Sequence, residues 1–108
     1  MMEFPVNTDD LISAICSWGV DHNINNPDKQ TIKLMEEVGE LANEISRSRY
    51  DTSEVRDAIG DIGVVLIILS DMLGHDFIDQ CLLPAYQVIV KRTGKTVDGS
   101  FIKDAEDS

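Results

Sequence analysis

The spacing of apolar residues predicts two amphipathic helices in the first half of the chain. The first follows the cap cluster 7–10 and ends at Gly19 and the polar stretch 22–27; its apolar positions are Leu11, Ile12, Ala14, Ile15 and Trp18. The second begins near Asp28, just after Pro27, and ends near Ser46. Its apolar positions fit the i, i+3, i+4, i+7 pattern: Leu34, Met35, Val38, Leu41, Ala42 and Ile45.

A third helix is predicted from a capping box, Asp51-Thr52-Ser53-Glu54, to Leu73, with Gly74 as its C-terminal stop. Residues 64–69 are mostly β-branched and could form a buried strand on composition alone, but the whole segment is too long for a strand. A helix that is apolar on nearly every side must be packed on several sides.

The last third of the chain predicts one interrupted helix and an extended tail. The fourth helix runs from Asp76 to Arg92 and is ended by Gly94, and Pro84 kinks it or divides it so that the main helix starts at Leu83. Two short extended pieces follow around the Asp98-Gly99 turn, and residues 104–108 are expected to be frayed. The fold class is therefore all-α, with four helices and a short extended C-terminal tail.

Length and charge narrow the functional classes. A chain of 108 residues suits a single domain, 1–108. Twenty acidic against nine basic residues, a net charge of -11, argue against a nucleic-acid-binding surface, because phosphate backbones are held by Lys and Arg. A small phosphate ligand would need a metal ion between its phosphates and the carboxylates.

The cysteines and the apolar runs bear on the compartment. Cys16 and Cys81 lie in apolar segments without metal-ligand spacing, which favours buried free thiols in a reducing compartment. Residues 1–5 do not resemble a signal peptide, and the longest apolar run, 62–69, is far shorter than the ~20 residues of a membrane span. We expect a cytoplasmic protein that does not enter membranes.

Four glutamates crowd the second helix: Glu36, Glu37, Glu40 and Glu44. The last three share one face, and Lys33 begins the same stripe. Like charges at this spacing destabilise an isolated helix unless a positive charge lies opposite. The stripe is therefore either one side of a cation site or a solvated acidic face with Lys33 as its internal partner.

The third helix favours the cation site. Asp57 and Asp61 are one turn apart, and Asp61 stands at the edge of the most apolar segment, where an unpaired buried charge would cost several kcal/mol. Gly60 and Gly63 flank Asp61, as expected if another backbone or a ligand comes close. Two carboxylates from each of two facing helices would make an oxygen-rich site suited to Mg²⁺ or Mn²⁺.

These residues resemble a known family. Glu36-Glu37-Val38-Gly39-Glu40-Leu41, followed after a loop by Ile59-Gly60-Asp61 and an aliphatic run, is similar to the MazG-like nucleotide pyrophosphohydrolases of the all-α NTP pyrophosphatase superfamily, and most of all to short phage and bacterial members. The resemblance extends from about Trp18 to Lys103. It implies a four-helix MazG-like bundle that binds Mg²⁺ through E-x-x-E on one helix and E-x-x-D on the next.

One position departs from the family pattern. Glu37 and Glu40 match the first pair and Asp61 matches the final Asp, but Ala58 stands where the family has Glu. Asp57 lies at about -40° from Asp61 on the helical wheel instead of about +60°, so it could still reach a metal from the less usual side. Glu36 or Glu54 could complete the metal ligands instead.

The resemblance implies hydrolysis of a nucleoside triphosphate to the monophosphate and pyrophosphate, with Glu37, Glu40 and Asp61 as catalytic residues. Candidate substrate-binding residues are Lys33, Gln30, Trp18, Lys91, Arg92 and Lys95. The last three are equally explained as cations that complement a helix C-terminus. Trp18 or Tyr86 could stack on a base, although a core or dimer-interface position is the more ordinary role of such residues. His22 and His75 receive no role.

Two other functions stay open on the sequence. Ala58 also fits a nucleotide- or metal-binding regulatory homologue that no longer turns over substrate, and the acidic stripe fits a structural helical module. A homodimer or a tetramer of dimers is expected, because three further short helices can hardly cover the apolar third helix.

Overall fold

The computed structural model describes residue 4 and residues 7–105. It contains four α-helices, a π-helical segment and a two-stranded sheet: α1 (Thr8–Asp21), α2 (Pro27–Ser46), α3 (Ser53–Met72), the π-helical segment Phe77–Leu82, α4 (Leu83–Ile89), β1 (Gly94–Val97) and β2 (Ser100–Lys103). The mainly helical fold class is thereby confirmed. The expectations for the extreme N-terminus and for residues 106–108 lie outside the described residues.

Side-chain caps begin the three long helices. Asn7 accepts a hydrogen bond from the Asp10 amide (2.9 Å), and Asn26 accepts one from the Lys29 amide (3.1 Å) with Pro27 in the first turn of α2. The predicted cap of α3 was one residue too early. Thr52, not Asp51, is the N-cap, and it accepts from the Val55 amide at 3.2 Å.

Asp51 makes a different interaction. Its Oδ1 lies 2.8 Å from the Arg56 guanidinium, as an exposed ion pair. Both Asp51 and Thr52 have side chains that can cap a helix, so the sequence alone does not select between them. α1 also runs further than predicted: Gly19 lies inside it, and the helix ends at Asp21.

The helices α1, α2 and α3 belong to one compact unit that ends at Phe77, and α3 packs on both other helices. The most buried apolar side chains all come from α3: Val55, Ala58, Val65, Ile67 and Ile68. Gly19 is buried against Ile68, whose Cγ2 would lie 3.2 Å from a Cβ at position 19. A glycine there lets α1 approach α3 closely.

The second unit begins at Ile78 and contains α4 and the hairpin. The predicted helix 76–92 is wrong in extent, since only Leu83–Ile89 is α-helical and a π-helical segment precedes it. The prediction that the main helix starts at Leu83 is confirmed. Pro84 has no N–H to continue the α-helical hydrogen-bond pattern, and it stands at this change of winding.

The extended tail is an antiparallel hairpin, in which Lys95 pairs with Ile102 and Val97 with Ser100. Asp98 and Gly99 form its two-residue turn, both at positive φ (51° and 79°), which is the conformation that Asp-Gly favours. A Cβ at Gly94 would collide with the carbonyl oxygen of Ile102. Gly94 is therefore required by strand approach and does not end the helix, since α4 already ends at Ile89.

The prediction of a four-helix bundle is confirmed only as four helices, three of which belong to the first unit. The single-domain prediction stays a prediction. Within the described residues, no helix taken singly has the length and apolar character needed to cross a membrane; only the bent combination of α3 with the helical segment after it reaches that threshold.

Candidate functional site

Two neighbouring cavities in the first unit share one carboxylate. The larger, about 590 Å³, is called the mixed cavity here; it is lined by Trp18, Asn23, Ile24, Asn25, Asn26, Lys29, Gln30, Lys33, Glu37, Asp61, Val64, Val65 and Ile68. The smaller, about 290 Å³, is called the acidic cleft; it is lined by Glu40, Asn43, Glu44, Glu54, Asp57, Ala58 and Asp61. Asp61 borders both, so the two cavities meet at the α2–α3 interface.

Glu37 is the buried charge of the mixed cavity. The residue is only 5% exposed, and its Oε1 lies 3.3 Å from the Lys33 ammonium one helical turn away. Its other oxygen, Oε2, is buried and accepts no hydrogen bond from any described residue. Because an uncompensated buried carboxylate oxygen is costly, this atom is the strongest indication of a missing cationic or hydrogen-bonding ligand.

The interpretation of the acidic stripe as a solvated face with Lys33 as its internal partner is confirmed for Lys33 but not for the whole face. Lys33 is indeed the partner of Glu37, and hydrogen bonding to Glu37, followed by its charge, raises the pKa of Lys33 above its ordinary range. The face is not uniformly solvated, however, because Glu37 is buried whereas Glu40 is exposed. Glu44 is partly buried and pairs with Arg49 at 3.4 Å.

Asp61 is exposed, which corrects the expectation that it is a buried charge at an apolar boundary. The burial argument applies to Glu37 instead. Both carboxylates line the mixed cavity together with apolar residues of α3 such as Val65, but only Glu37 is buried there.

For the glycines beside Asp61, the predicted approach of another backbone is wrong, and the approach of a ligand stays a prediction. A Cβ added at Gly60 or at Gly63 would have no neighbour within 4 Å. No described backbone approaches α3 at these positions. The close approach occurs at Gly19, which the sequence suggested only as a helix stop.

An aromatic residue and an amide-rich loop also line the mixed cavity. Trp18 is 51% exposed, so a core position is wrong for it within the described chain. Its indole stacks on the His22 imidazole with ring centroids 4.2 Å apart, and His22 Nδ1 hydrogen-bonds the Trp18 carbonyl oxygen at 2.8 Å. His22, which had no predicted role, therefore supports the orientation of Trp18.

Residues 23–26 join α1 to α2 and contribute three asparagines to the mixed cavity. Asn23 has φ = 56°, a left-handed conformation that asparagine tolerates better than most residues. The side chains of Asn23 and Asn25 form no hydrogen bond with any described residue, so their amides are available to a ligand. Reading 23–26 only as a helix-ending stretch missed them, although three amides so close together were a signal.

Gln30 has a structural partner. The side chain is buried, and its Nε2 donates to the Val65 carbonyl oxygen at 3.4 Å, which ties α2 to α3. Because Gln30 also lines the mixed cavity, its predicted contact with substrate stays a prediction.

The acidic cleft is almost purely carboxylate. Asp57 and Asp61 line it from α3 and Glu40 lines it from α2, as the sequence suggested, and Glu44 and Glu54 lie in the same cleft. A hydrogen bond from its own backbone N–H, followed by one from the Ser53 hydroxyl, lowers the pKa of Glu54. Ala58 is buried in the cleft wall, so a methyl group occupies the position at which the family that the sequence resembles has a glutamate.

The donor chemistry fits a hard divalent cation, although the ligands do not form a closed cage. Among the described residues, no group of three or more His, Cys, Asp or Glu is arranged to hold a metal ion. Mg²⁺ does not require one, because it is commonly bound by one or two carboxylates together with water and substrate phosphates. The unpartnered Oε2 of Glu37 and the exposed carboxylate of Asp61 are the two groups of the mixed cavity that meet this description.

Several predicted residues lie elsewhere. Glu36 is exposed and lines neither cavity, and Tyr86 is 58% exposed on α4. Lys91, Arg92 and Lys95 are exposed and belong to the second unit. They are not among the described residues that line the two cavities. Their substrate contacts stay predictions.

Both cysteines are free, as expected, but they are half-buried and not buried. Burial, followed by the charge of Asp71, raises the pKa of the Cys16 thiol. A raised thiol pKa disfavours the nucleophilic thiolate at neutral pH, so Cys16 does not add a nucleophile to the site.

Comparison with known proteins gives one partial match. The "Uncharacterized 18.2 kDa protein in rep-hol intergenic region" of Haemophilus phage HP1 (strain HP1c1) is 43% identical over 63 residues. The match covers 56% of this chain and 37% of the phage protein, so the chain spans well under two thirds of that relative's length. No protein-family model matches the sequence. No solved structure matches it either. The chain is thus similar to part of a phage protein whose printed name states no activity.

Proposed function

We propose that this protein is a Mg²⁺-dependent nucleoside triphosphate pyrophosphohydrolase that converts an NTP or dNTP to the monophosphate and pyrophosphate. The observation that carries the proposal is the buried, unpartnered Oε2 of Glu37 in a cavity that also contains Asp61, two lysines and an aromatic side chain. The resemblance of the E-x-x-E and terminal Asp pattern to MazG-like enzymes supports the same reaction.

Glu37 and Asp61 would hold the metal at the junction of the two cavities, with Glu40 and Asp57 on the acidic side; Mn²⁺ could replace Mg²⁺. Bound Mg²⁺ supplies neutralisation of phosphate oxygens and a lower pKa for a coordinated water. Glu40 and Asp57, which are exposed to solvent in the acidic cleft, can accept a proton from the attacking water and orient it.

The mixed cavity supplies the complementary groups for the rest of a nucleotide. Lys29 and Lys33 bring positive charge for the phosphates, and Trp18 offers a ring on which a base can stack. Amide side chains carry both donors and acceptors, so Asn23 and Asn25 can bond the edge of a base. A volume of about 590 Å³ lies within the usual range of small-molecule sites.

A second candidate is a nucleotide- or metal-binding regulatory homologue with little turnover. The observation that favours it is Ala58, a buried methyl group in the acidic cleft where the resembled family has a carboxylate. Such a protein would keep the mixed cavity and bind nucleotide, but it would lack one group for positioning the attacking water.

Pyrophosphate release across a panel of NTPs and dNTPs, with Mg²⁺ and with EDTA, tests the proposal. We expect Mg²⁺-dependent release in the parent protein and its loss in Glu37→Gln. Asp28→Asn is a matched control, because Asp28 lies exposed on the same helix and lines neither cavity. Nucleotide binding without pyrophosphate release supports the regulatory homologue; an absence of both nucleotide and metal binding leaves only a structural helical module.

We also propose that the protein is a homo-oligomer, most simply a dimer. Four apolar residues form an exposed stripe on α2 at 3-4-3 spacing, the spacing of a helix–helix seam: Met35, Val38, Ala42 and Ile45. A second copy of the same stripe is its natural complement, since identical surfaces pair in a two-fold dimer. Sedimentation or light scattering showing a 12.0 kDa monomer at tens of micromolar (about 10⁻⁵ M) would contradict it.

A further inference from the structure

One lysine of the mixed cavity is paired and the other is not. Lys33 Nζ lies 3.3 Å from Glu37 Oε1, whereas Lys29 lines the same cavity without an ion pair to any described residue. The Lys33 side chain is 54% exposed although its partner is only 7% exposed. Lys33 thus reaches from solvent to a carboxylate that is otherwise buried.

The pairing leaves Glu37 incompletely satisfied. A carboxylate can accept about four hydrogen bonds, and here one oxygen has the ammonium while the other, buried, has no donor. The half-exposed ammonium regains hydration when it leaves, but its departure would leave the buried carboxylate uncompensated unless another cation takes its place. A small divalent cation would satisfy the same carboxylate more completely.

We propose that Lys33 is an exchangeable counter-ion: it holds Glu37 while the cation site is empty and moves to the substrate phosphates when metal and nucleotide enter. This inference rests on the function proposed above. It gives Lys33 a second role besides phosphate binding, which is to pair with Glu37 when no metal is bound. Lys33 competes with the metal for Glu37, and the arriving phosphates remove that competition. Metal alone therefore binds more weakly than metal together with nucleotide.

Metal titration without nucleotide tests the competition directly. Calorimetry with MgCl₂, or Mn²⁺ binding followed by electron paramagnetic resonance, is carried out on the full chain. We expect Lys33→Met to bind the metal at least about fivefold more tightly than the parent; an exposed ion pair expressed as affinity sets this lower bound, because Glu37 is buried. Lys29→Met removes the same charge from the same cavity without breaking the pair, so it should change metal affinity by much less.

An arginine at the same position should have the opposite effect. Its guanidinium can hold a carboxylate with two hydrogen bonds, so Lys33→Arg should compete more strongly and weaken metal binding. Binding of a non-hydrolysable triphosphate analogue in saturating Mg²⁺ should weaken in Lys33→Met, because a phosphate contact is lost. The two readouts thus move in opposite directions for one variant, which a merely structural lysine would not produce.

The outcomes separate the two proposals. If Lys33→Met binds metal no more tightly than Lys29→Met while the parent binds metal and hydrolyses nucleotides, the exchange role of Lys33 is overturned and the function stands. If the parent binds neither Mg²⁺ nor Mn²⁺, the proposed function fails together with the exchange. Tighter metal binding in Lys33→Met with weaker binding of the analogue supports both.

Discussion

The mixed cavity and the acidic cleft share Asp61 but differ in every other functional residue. The mixed cavity combines an indole, asparagine amides and two lysines with its carboxylates, whereas the described residues that line the acidic cleft include five carboxylates and one asparagine but no lysine or arginine. Arg49 lies beside this cleft as the partner of Glu44. The balanced charges of the mixed cavity repel an anionic organic ligand less than the carboxylates of the acidic cleft, which favour cations and water.

The comparison shows that the net charge of the chain does not predict which charges line each cavity. A chain with a net charge of -11 still has one cavity in which two lysines of α2 balance two carboxylates, Glu37 and Asp61. The further carboxylates that would attract a cation lie in the acidic cleft. A metal at Asp61 would join an anion-accepting site to a cation-accepting one, and the predictions below test that division.

Asp61→Asn should have the largest effect, because Asp61 belongs to both cavities. Removing its charge should lower Mg²⁺ affinity and hydrolysis by at least about 100-fold. Without metal, the melting temperature should stay the same or rise, since repulsion from Glu40 and Asp57 decreases. Melting curves of parent and variant in EDTA and in millimolar Mg²⁺ measure both effects.

The opposite pattern would contradict the assignment of Asp61 to a metal site shared by the two cavities. An Asn variant that is less stable in EDTA and shows an undiminished Mg²⁺ shift would mean that Asp61 is a structural residue. Glu40→Gln, which affects the acidic cleft alone, should resemble Asp61→Asn in metal affinity but leave metal-free nucleotide binding unchanged.

Asp57→Asn should cause a partial loss, about tenfold in hydrolysis, because Asp57 lines the cleft from one residue before the position at which the resembled family has its carboxylate. The rate of pyrophosphate release at saturating Mg²⁺ measures it. The exposed Asp51, which pairs with Arg56 outside both cavities, provides the control Asp51→Asn. A complete loss would show that Asp57 has fully replaced the carboxylate absent at Ala58, and no loss would exclude Asp57 from the site.

Asn25→Ala should change the preference among bases without affecting metal binding. Loss of one neutral hydrogen bond predicts a KM increase of about five- to tenfold for the preferred base, with smaller changes for the others. Asn43→Ala is the matched control, because Asn43 lies in the acidic cleft. Equal effects of the two substitutions on base preference would contradict the division between the cavities.

Glu54→Gln should have the smallest effect, on stability. Hydrogen bonding from its own backbone N–H and from Ser53 lowers the pKa of Glu54 in the folded chain, so its stabilisation is present above the ordinary pKa of 4.5 and is lost as the pH falls through the folded value. The variant should melt slightly below the parent at pH 7, and the difference should shrink below pH 4.5. A difference that persists at lower pH would mean that charge is not the cause.

Much of the local structure follows from the sequence because it depends on near neighbours. The asparagine caps, the start of α4 at Leu83 and the Asp98-Gly99 hairpin are each determined within a few residues. The shift of the α3 cap from Asp51 to Thr52 marks the limit of that approach. Two adjacent residues can both cap, and the choice depends on how the whole helix packs.

The candidate site, too, could be predicted from the sequence only in part. Spacing alone placed Glu40, Asp57 and Asp61 on facing helices, and the structure brings them to one cleft. It could not show that Glu37 is the buried carboxylate and Asp61 the exposed one, because burial depends on which side of α2 meets α3. Nor could the spacing show that Leu34 and Leu41 are partly buried whereas Met35 and Val38 are exposed.

The sequence by itself therefore determined the three long helices, the turn chemistry and the set of acidic residues, all of which follow from local periodicity and charge. Only the tertiary structure decided that Asn23, Asn25 and Lys29 meet Glu37 in one cavity and that Gly19, not Gly60 or Gly63, is the point of close approach. The physical reason is that helical period specifies which residues share a face, whereas the packing of α1 and α2 on α3 selects the face that is buried.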